Sequence, residues 1–179
     1  LSSSKFNVAI ASQTKDDDMW VVKFNGDITT LNTEAFDSQS RLKSITLPEG
    51  VTTIGDYAFY GCENVETMVI PDNITYIGRG AIERCSGLRS VDLGLGVRTL
   101  VDYAFEGCTQ LETVTAGDNV ERIGYEVFCN TPWYANLPDG LNYLGKVAYK
   151  YKGTCPASVT IKEGTVGIGA SAFDGYLVL

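Results

Sequence analysis

The chain repeats itself with a period of 23 residues. Four full units follow one another without a gap: ITTLNTEAFDSQSRLKSITLPEG (28–50), VTTIGDYAFYGCENVETMVIPDN (51–73), ITYIGRGAIERCSGLRSVDLGLG (74–96) and VRTLVDYAFEGCTQLETVTAGDN (97–119). A fifth opens at Val120 with VERIGYEVF, and a sixth, TVGIGASAFDGYLVL, at Thr165. Aligned, the units place apolar residues in fixed columns. The first column holds Ile28, Val51, Ile74, Val97 and Val120. The fourth holds Leu31, Ile54, Ile77, Leu100, Ile123 and Ile168, and the ninth Phe36, Phe59, Ile82, Phe105, Phe128 and Phe173. Later columns carry Leu42, Val65, Leu88 and Leu111, then Ile45, Met68, Val91 and Val114, then Leu47, Ile70, Leu93 and Ala116. The last two sets lie two residues apart, the spacing of a strand with one face inward. A single unit cannot bury these side chains within itself. Stacked units bury each against its equivalents, so the period predicts a solenoid.

Turn chemistry recurs with the same period. The last column reads Gly50, Asn73, Gly96, Asn119 and Gly164, residues that tolerate positive φ, which predicts a left-handed turn there. Pro48 and Pro71 stand where the short strand must stop. The fifth column is Gly55, Gly78, Gly124 and Gly169, read as a bend, with Asn32 and Val101 as exceptions.

Composition narrows the chemistry. With 14 Lys and Arg against 22 Asp and Glu the net charge is -8, which disfavours nucleic acid and anionic membrane surfaces as partners. No apolar run approaches the roughly 20 residues of a spanning helix. The chain contains no histidine, which removes the usual general base, the Ser-His and Cys-His pairs and the commonest zinc ligand. The expectation is a protein that is not an enzyme and uses no cofactor.

The pattern in LKSITLPEGVTTIGDYAFYGC and its copies resembles the BspA-like class of leucine-rich repeats, over about residues 28–131 and 159–175. The resemblance implies a leucine-rich-repeat solenoid: a mixed α/β, right-handed coil of short parallel strands and short helical turns. It also implies a secreted or cell-surface protein of the kind found in host-associated bacteria and some protists, with a host or matrix protein as ligand. A glycan-binding module and a structural spacer carrying other domains are the alternatives.

The chain divides into an N-terminal cap (1–27), four regular repeats (28–119), a lengthened fifth repeat (120–164) and an incomplete sixth (165–179). In the cap, MWVVKFNGD keeps the phase of the repeat, and the segment before it lacks the Ala-Phe element; a hairpin turning at Asp16–Asp18 is expected. The sixth unit stops before its second strand, as in a chain cut from a longer protein or an edge that pairs with another chain. The fifth repeat contains TPWYANLPDGLNYLGKVAYKYKGTCP, in which LNYLGKVAYKYKG reads as two alternating strands around a Gly-Lys turn. Inserts of this TPWY and GKV.YKYKG type occur in the resembled family. Trp133, Tyr134, Tyr143, Tyr149 and Tyr151 either cover the widened coil or form an exposed recognition patch.

Cys62, Cys85 and Cys108 share one column, filled by Gln39 in the first unit. Stacking places them roughly 5 Å apart with parallel side chains, a poor disulfide geometry, so they read as small buried core residues. Cys129 and Cys155 are irregular and would suit a disulfide closing the insert in a secreted protein. GLNYLGKV (140–147) imitates a phosphate loop but ends in Val147, where a hydroxyl is needed, and GIGASA (167–172) is explained by its repeat columns. No metal site is indicated. The sequon at Asn73 falls on a turn column already accounted for.

Beside the strand one column alternates in sign: Lys43, Glu66, Arg89 and Glu112. A hydroxyl column, Ser44, Thr67, Ser90 and Thr113, follows it, and beyond one core column come Thr46, Val69, Asp92 and Thr115. These positions form either a solvated sheet face or a flat binding face of mixed polarity. With the five aromatic residues of the insert they are the candidate ligand contacts.

Overall fold

The computed structural model describes residues 10–16, 19–154 and 156–175. In chain order its elements are β1 (Ile10–Asp16), β2 (Met19–Phe24), β3 (Thr30–Leu31), β4 (Thr53–Ile54), β5 (Thr67–Val69), β6 (Tyr76–Ile77), β7 (Ser90–Asp92), β8 (Thr99–Leu100), β9 (Thr113–Thr115), β10 (Arg122–Ile123), α1 (Pro132–Ala135), β11 (Gly140–Leu144), β12 (Val147–Lys152) and β13 (Gly167–Ile168). Strands β1 and β2 pair antiparallel ahead of the repeats; of the turn between them, Asp17 and Asp18 lie outside the described residues.

The coils stack as a β-solenoid of about six turns. One ladder runs β3, β4, β6, β8, β10, all parallel, and sets Leu31, Ile54, Ile77, Leu100 and Ile123 side by side. A second runs β5, β7, β9, with Met68, Val91 and Val114 in register. It has no strand from the first coil, where Ile45 and Leu47 are only half-buried. The Phe column forms the core between the ladders. Phe59, Phe105 and Phe128 are fully buried, and Phe36 stacks on Phe59 and Phe105 on Phe128 at 5.1 Å between centroids. Each such ring stabilises the fold by about 1.5–3 kcal/mol through burial alone.

The segment around each Phe is a run of turns rather than a helix. Among the described residues α1 is the one helix, and it lies in the insert, so the short helical turns implied by the family resemblance are absent from the regular coils. The hydrogen bonds show why. The N–H groups of Tyr57, Phe59 and Gly61 donate along the stack to Arg79 O, Ala81 O and Glu83 O at 2.7–2.9 Å. Those of Ala58, Tyr60 and Cys62, between them, donate three residues back within their own coil. Equivalent triplets join each pair of the first five coils. A helix would direct all of these N–H groups along its own axis and leave the neighbouring coil unbonded.

This alternation requires positive φ at two positions per coil. The first set is Glu34, Tyr57, Gly80, Tyr103 and Glu126, with φ of 49–62°; the second is Ser38, Gly61, Arg84, Gly107 and Asn130, with φ of 55–70°. The Gly and Asn column expected to be left-handed is not, except at Gly164. What selects it is proximity to the preceding coil. A Cβ on Gly96 would lie 1.8 Å from Asp72 O, while Asn73 and Asn119 donate from Nδ2 to Val51 O and Leu95 O.

The fifth-column glycines also have ordinary φ. A Cβ on Gly78 would meet the Asp56 carboxylate at 2.5 Å, and one on Gly124 would meet that of Asp102 at 2.5 Å. Those carboxylates accept hydrogen bonds at 2.8 Å from the N–H groups of Arg79 and Tyr125 in the next coil. Val101 follows a coil with Arg79 in place of the aspartate, so no carboxylate needs the space and a side chain is tolerated.

The cysteine column is buried. The thiols of Cys62, Cys85 and Cys108 donate to Phe36 O, Phe59 O and Ile82 O at 3.1–3.2 Å, giving a partner to the carbonyl of the Phe column one coil back. Burial pushes the Cys108 thiol up to about 12, so it stays protonated. Gly78→Ala is expected to destabilise the protein by about 1–3 kcal/mol, because the added Cβ forces the Asp56 carboxylate off the Arg79 amide; urea denaturation of the whole chain checks this.

Candidate functional site

The fifth coil diverges at Thr131, which occupies the cysteine column. Its hydroxyl donates to Phe128 O at 2.8 Å and accepts from Tyr134 N at 3.1 Å, so the residue is the N-cap of α1, and Pro132 fits the first helical position. Trp133 N donates to Leu111 O at 2.8 Å and holds the helix on the fourth coil. The chain then makes the expected hairpin, β11 with β12 around Gly145–Lys146, and β12 pairs in parallel with β13.

Strand β12 takes the place of a coil. Ala148 pairs with Ile168, as Leu100 pairs with Ile123. Tyr151 N donates to Ala172 O at 2.7 Å, as Phe105 N donates to Val127 O. The Tyr151 ring stacks on Phe173 with centroids 6.1 Å apart, continuing the Phe column. A regular coil spends five residues between those two positions, Leu100 to Phe105; β12 spends three, Ala148 to Tyr151.

The aromatic residues of the insert divide by burial. Tyr149 and Tyr151 are buried, and burial pushes the Tyr149 phenol up. Phe128, Trp133 and Tyr149 form one cluster with centroids 4.8–5.8 Å apart. Trp133, Tyr134 and Tyr143 are half-buried. Lys152 lies over the Tyr134 ring and Lys162 over Tyr143, whose hydroxyl accepts from Lys162 N at 2.9 Å. Most of this surface therefore faces the protein. Cys129 is a free thiol; its suggested partner Cys155 lies outside the described residues.

On the strand face, Val69, Asp92 and Thr115 stand in register and point outward, Val69 being 71% exposed. The Asp92 carboxylate accepts from Thr115 Oγ1 and Gly94 N at 3.0 and 3.1 Å. Glu66, Arg89 and Glu112 are exposed where the strands begin, and no ion pair forms among them. Lys43 and Thr46 are exposed on the first coil, outside the ladder.

A further set of large side chains meets on the turn edge of the stack. The Tyr57 ring lies over Gly80, where a Cβ would come within 2.5 Å of Cε1, and packs edge-on against Tyr60 at 6.0 Å. Arg84 donates from Nη1 to the Tyr60 hydroxyl at 2.8 Å. Arg79 lies over the Tyr103 ring, 5.2 Å from its centroid, and faces the Asp102 carboxylate at 3.7 Å. Tyr103 meets Tyr125 edge-on at 5.8 Å. Partial burial and the neighbouring Glu106 hold the Glu83 carboxyl above its ordinary range. Tyr57 and Tyr60 are legible in the sequence as residues left over from the core columns. The contact of Arg84 with Tyr60 and the separate set of Arg79, Tyr103 and Tyr125 are not, because both arise only when coils stack; the signal available is that these columns change residue type from unit to unit.

Parallel ladders, a Phe column and a stacked turn edge define a leucine-rich-repeat solenoid. The chain belongs to the BspA-type leucine-rich repeat family: residues 15–135 match the BspA type leucine rich repeat region, in 6 copies. It is similar to the crystal structure of a leucine-rich repeat protein of T. pallidum, with 32% identity and a TM-score of 0.53 over 62% of this chain and 50% of that one. It is also similar to a leucine-rich repeat protein from Bacteroides ovatus, with 29% identity and a TM-score of 0.51 over 76% of this chain and 30% of that one. The chain thus spans half or less of the length of these two proteins. No curated protein matches it. Among the described residues no helix is long and apolar enough to cross a membrane.

Because β12 replaces a coil, Tyr151→Ala is expected to cost about 3–5 kcal/mol and Tyr151→Phe less than about 1.5 kcal/mol, read from urea unfolding midpoints.

Proposed function

We propose that the chain is a non-enzymatic protein-recognition module of a secreted or surface protein, binding through the tyrosine–arginine band of its turn edge. Leucine-rich repeat proteins commonly bind proteins, and a stack of short coils presents a continuous lateral surface for this purpose. The observation that carries the choice of surface is the contact chain from Arg84 through Tyr60 to Tyr57, and from Arg79 through Tyr103 to Tyr125. Tyr and Arg dominate binding hot spots, and here each is positioned by a neighbour before a ligand arrives, which lowers the entropy lost on binding. On the strand face, the outward Asp92 already has partners within the protein. The insert keeps Tyr149 and Tyr151 inside.

The test is binding to an array of purified extracellular-matrix proteins. For a partner retained by the unmodified chain, Tyr60→Ala combined with Arg79→Ala is expected to cost about 2 kcal/mol or more. Arg89→Glu combined with Asp92→Lys should change affinity by less than about 0.5 kcal/mol. The opposite ranking moves the site to the strand face, and retention of no protein by the array favours a spacer.

A further inference from the structure

Where β12 substitutes for a coil, the shortened connection leaves a gap between the turns of the fifth and sixth coils. The regular stack has no such gap, because Tyr57, Phe59, Gly61 and their equivalents bond directly to the next coil. At this joint the matching carbonyl, Ala172 O, is taken by Tyr151. The result is a cleft of about 220 Å³ lined by Tyr125, Glu126, Tyr134, Lys150 and Asp174, among others. That is smaller than the roughly 300–1,000 Å³ of sites for drug-sized molecules, so an occupant must be compact.

Lys150 defines the chemistry. It is 9% exposed, and its ammonium donates to Ser171 O at 2.8 Å. That accounts for one of three N–H donors. No carboxylate forms an ion pair with it among the described residues. A buried ammonium with donors left unfilled is costly, and an anion entering the cleft would accept from them. The more exposed part of the lining has the opposite character. Glu126 is half-buried and Asp174 exposed, and both line the cleft together with Tyr125. The rings of Tyr125 and Tyr134 border the same space. Carboxylates next to aromatic faces attract an organic cation.

We infer that this cleft binds a small zwitterion, a free α-amino acid, with its carboxylate on Lys150 and its ammonium toward Glu126 and Asp174. The site is distinct from the band proposed for protein recognition, sharing only Tyr125 with it, so either reading can fail without the other.

The test is isothermal titration of the whole chain with the standard α-amino acids, each beside its methyl ester and its des-amino acid. At least one amino acid should bind at millimolar concentration or below. Blocking its carboxylate or removing its amine should weaken binding by about tenfold or more, as expected for loss of a charged hydrogen bond. Lys150→Met should remove the preference for the free acid over the ester. Glu126→Gln with Asp174→Asn, at less buried positions, should remove the preference for the amine while leaving the circular dichroism unchanged, which keeps the test decisive if the lysine variant does not fold. Absence of heat from every amino acid would overturn the inference, as would binding of the ester or the des-amino acid as tight as that of the amino acid itself.

Discussion

Everything in this solenoid depends on where the backbone N–H groups of the turn point. In each regular coil, every second N–H around the Phe column leaves the coil and meets a carbonyl of the next, while those between bond three residues back. Each bond contributes only about 0.5–1.5 kcal/mol net, but an unmade one in a buried turn costs more, so a coil without a neighbour is a poor structure. The Phe column, the cysteine thiols on its carbonyls and the two strand ladders follow from the same requirement of stacking at a constant interval. The backbone accepts left-handed conformations at Tyr57, Arg84, Tyr103 and other residues that do not favour them, because these bonds hold the chain there. Since this occurs in every regular coil, it is a property of the architecture and does not mark a site.

The buried columns were legible in the sequence because burial repeats with the period: Ile54, Phe59, Val65, Met68 and Ile70 are inside, as are their equivalents in the next unit. The reasons for the glycines were less legible. Gly and Asn suggest positive φ when read singly, yet Gly78 and Gly96 are required by backbone or carboxylate approach from the preceding coil. Those contacts lie 22 and 24 residues away in sequence, beyond the reach of local propensity. Likewise the Ala-Phe segment suggests a helical turn until the intercoil bonds are seen to compete for its N–H groups.

The insert shows how a repeat protein can change layer without losing its core. Thr131 uses the cysteine column to start α1, and Tyr151 returns the chain to the Phe column by a route two residues shorter. The sequence showed an aromatic hairpin and left its role open. In the structure most of its rings are packed inward, and the space left by the shortened route is lined by charges. The turn-edge band was the harder feature to foresee. Tyr57 and Tyr103 are separated by a whole unit, and the arginines between them come from the unit whose own ninth column is Ile82. The side chains proposed to bind ligands thus lie where columns vary and where the period breaks, which is where stacking makes the fewest demands on residue type.

The direct test of this account is amide hydrogen exchange of the native protein, resolved by residue. The N–H groups of Tyr57, Phe59, Gly61, Ile82, Arg84 and Phe105 should be protected to the same degree as Met68 and Val91 in the strand ladder, since all of them bond to the adjacent coil. Exchange at these turn positions as fast as in an unbonded surface loop, with the strands still protected, would contradict the claim that the turn edge holds the coils together.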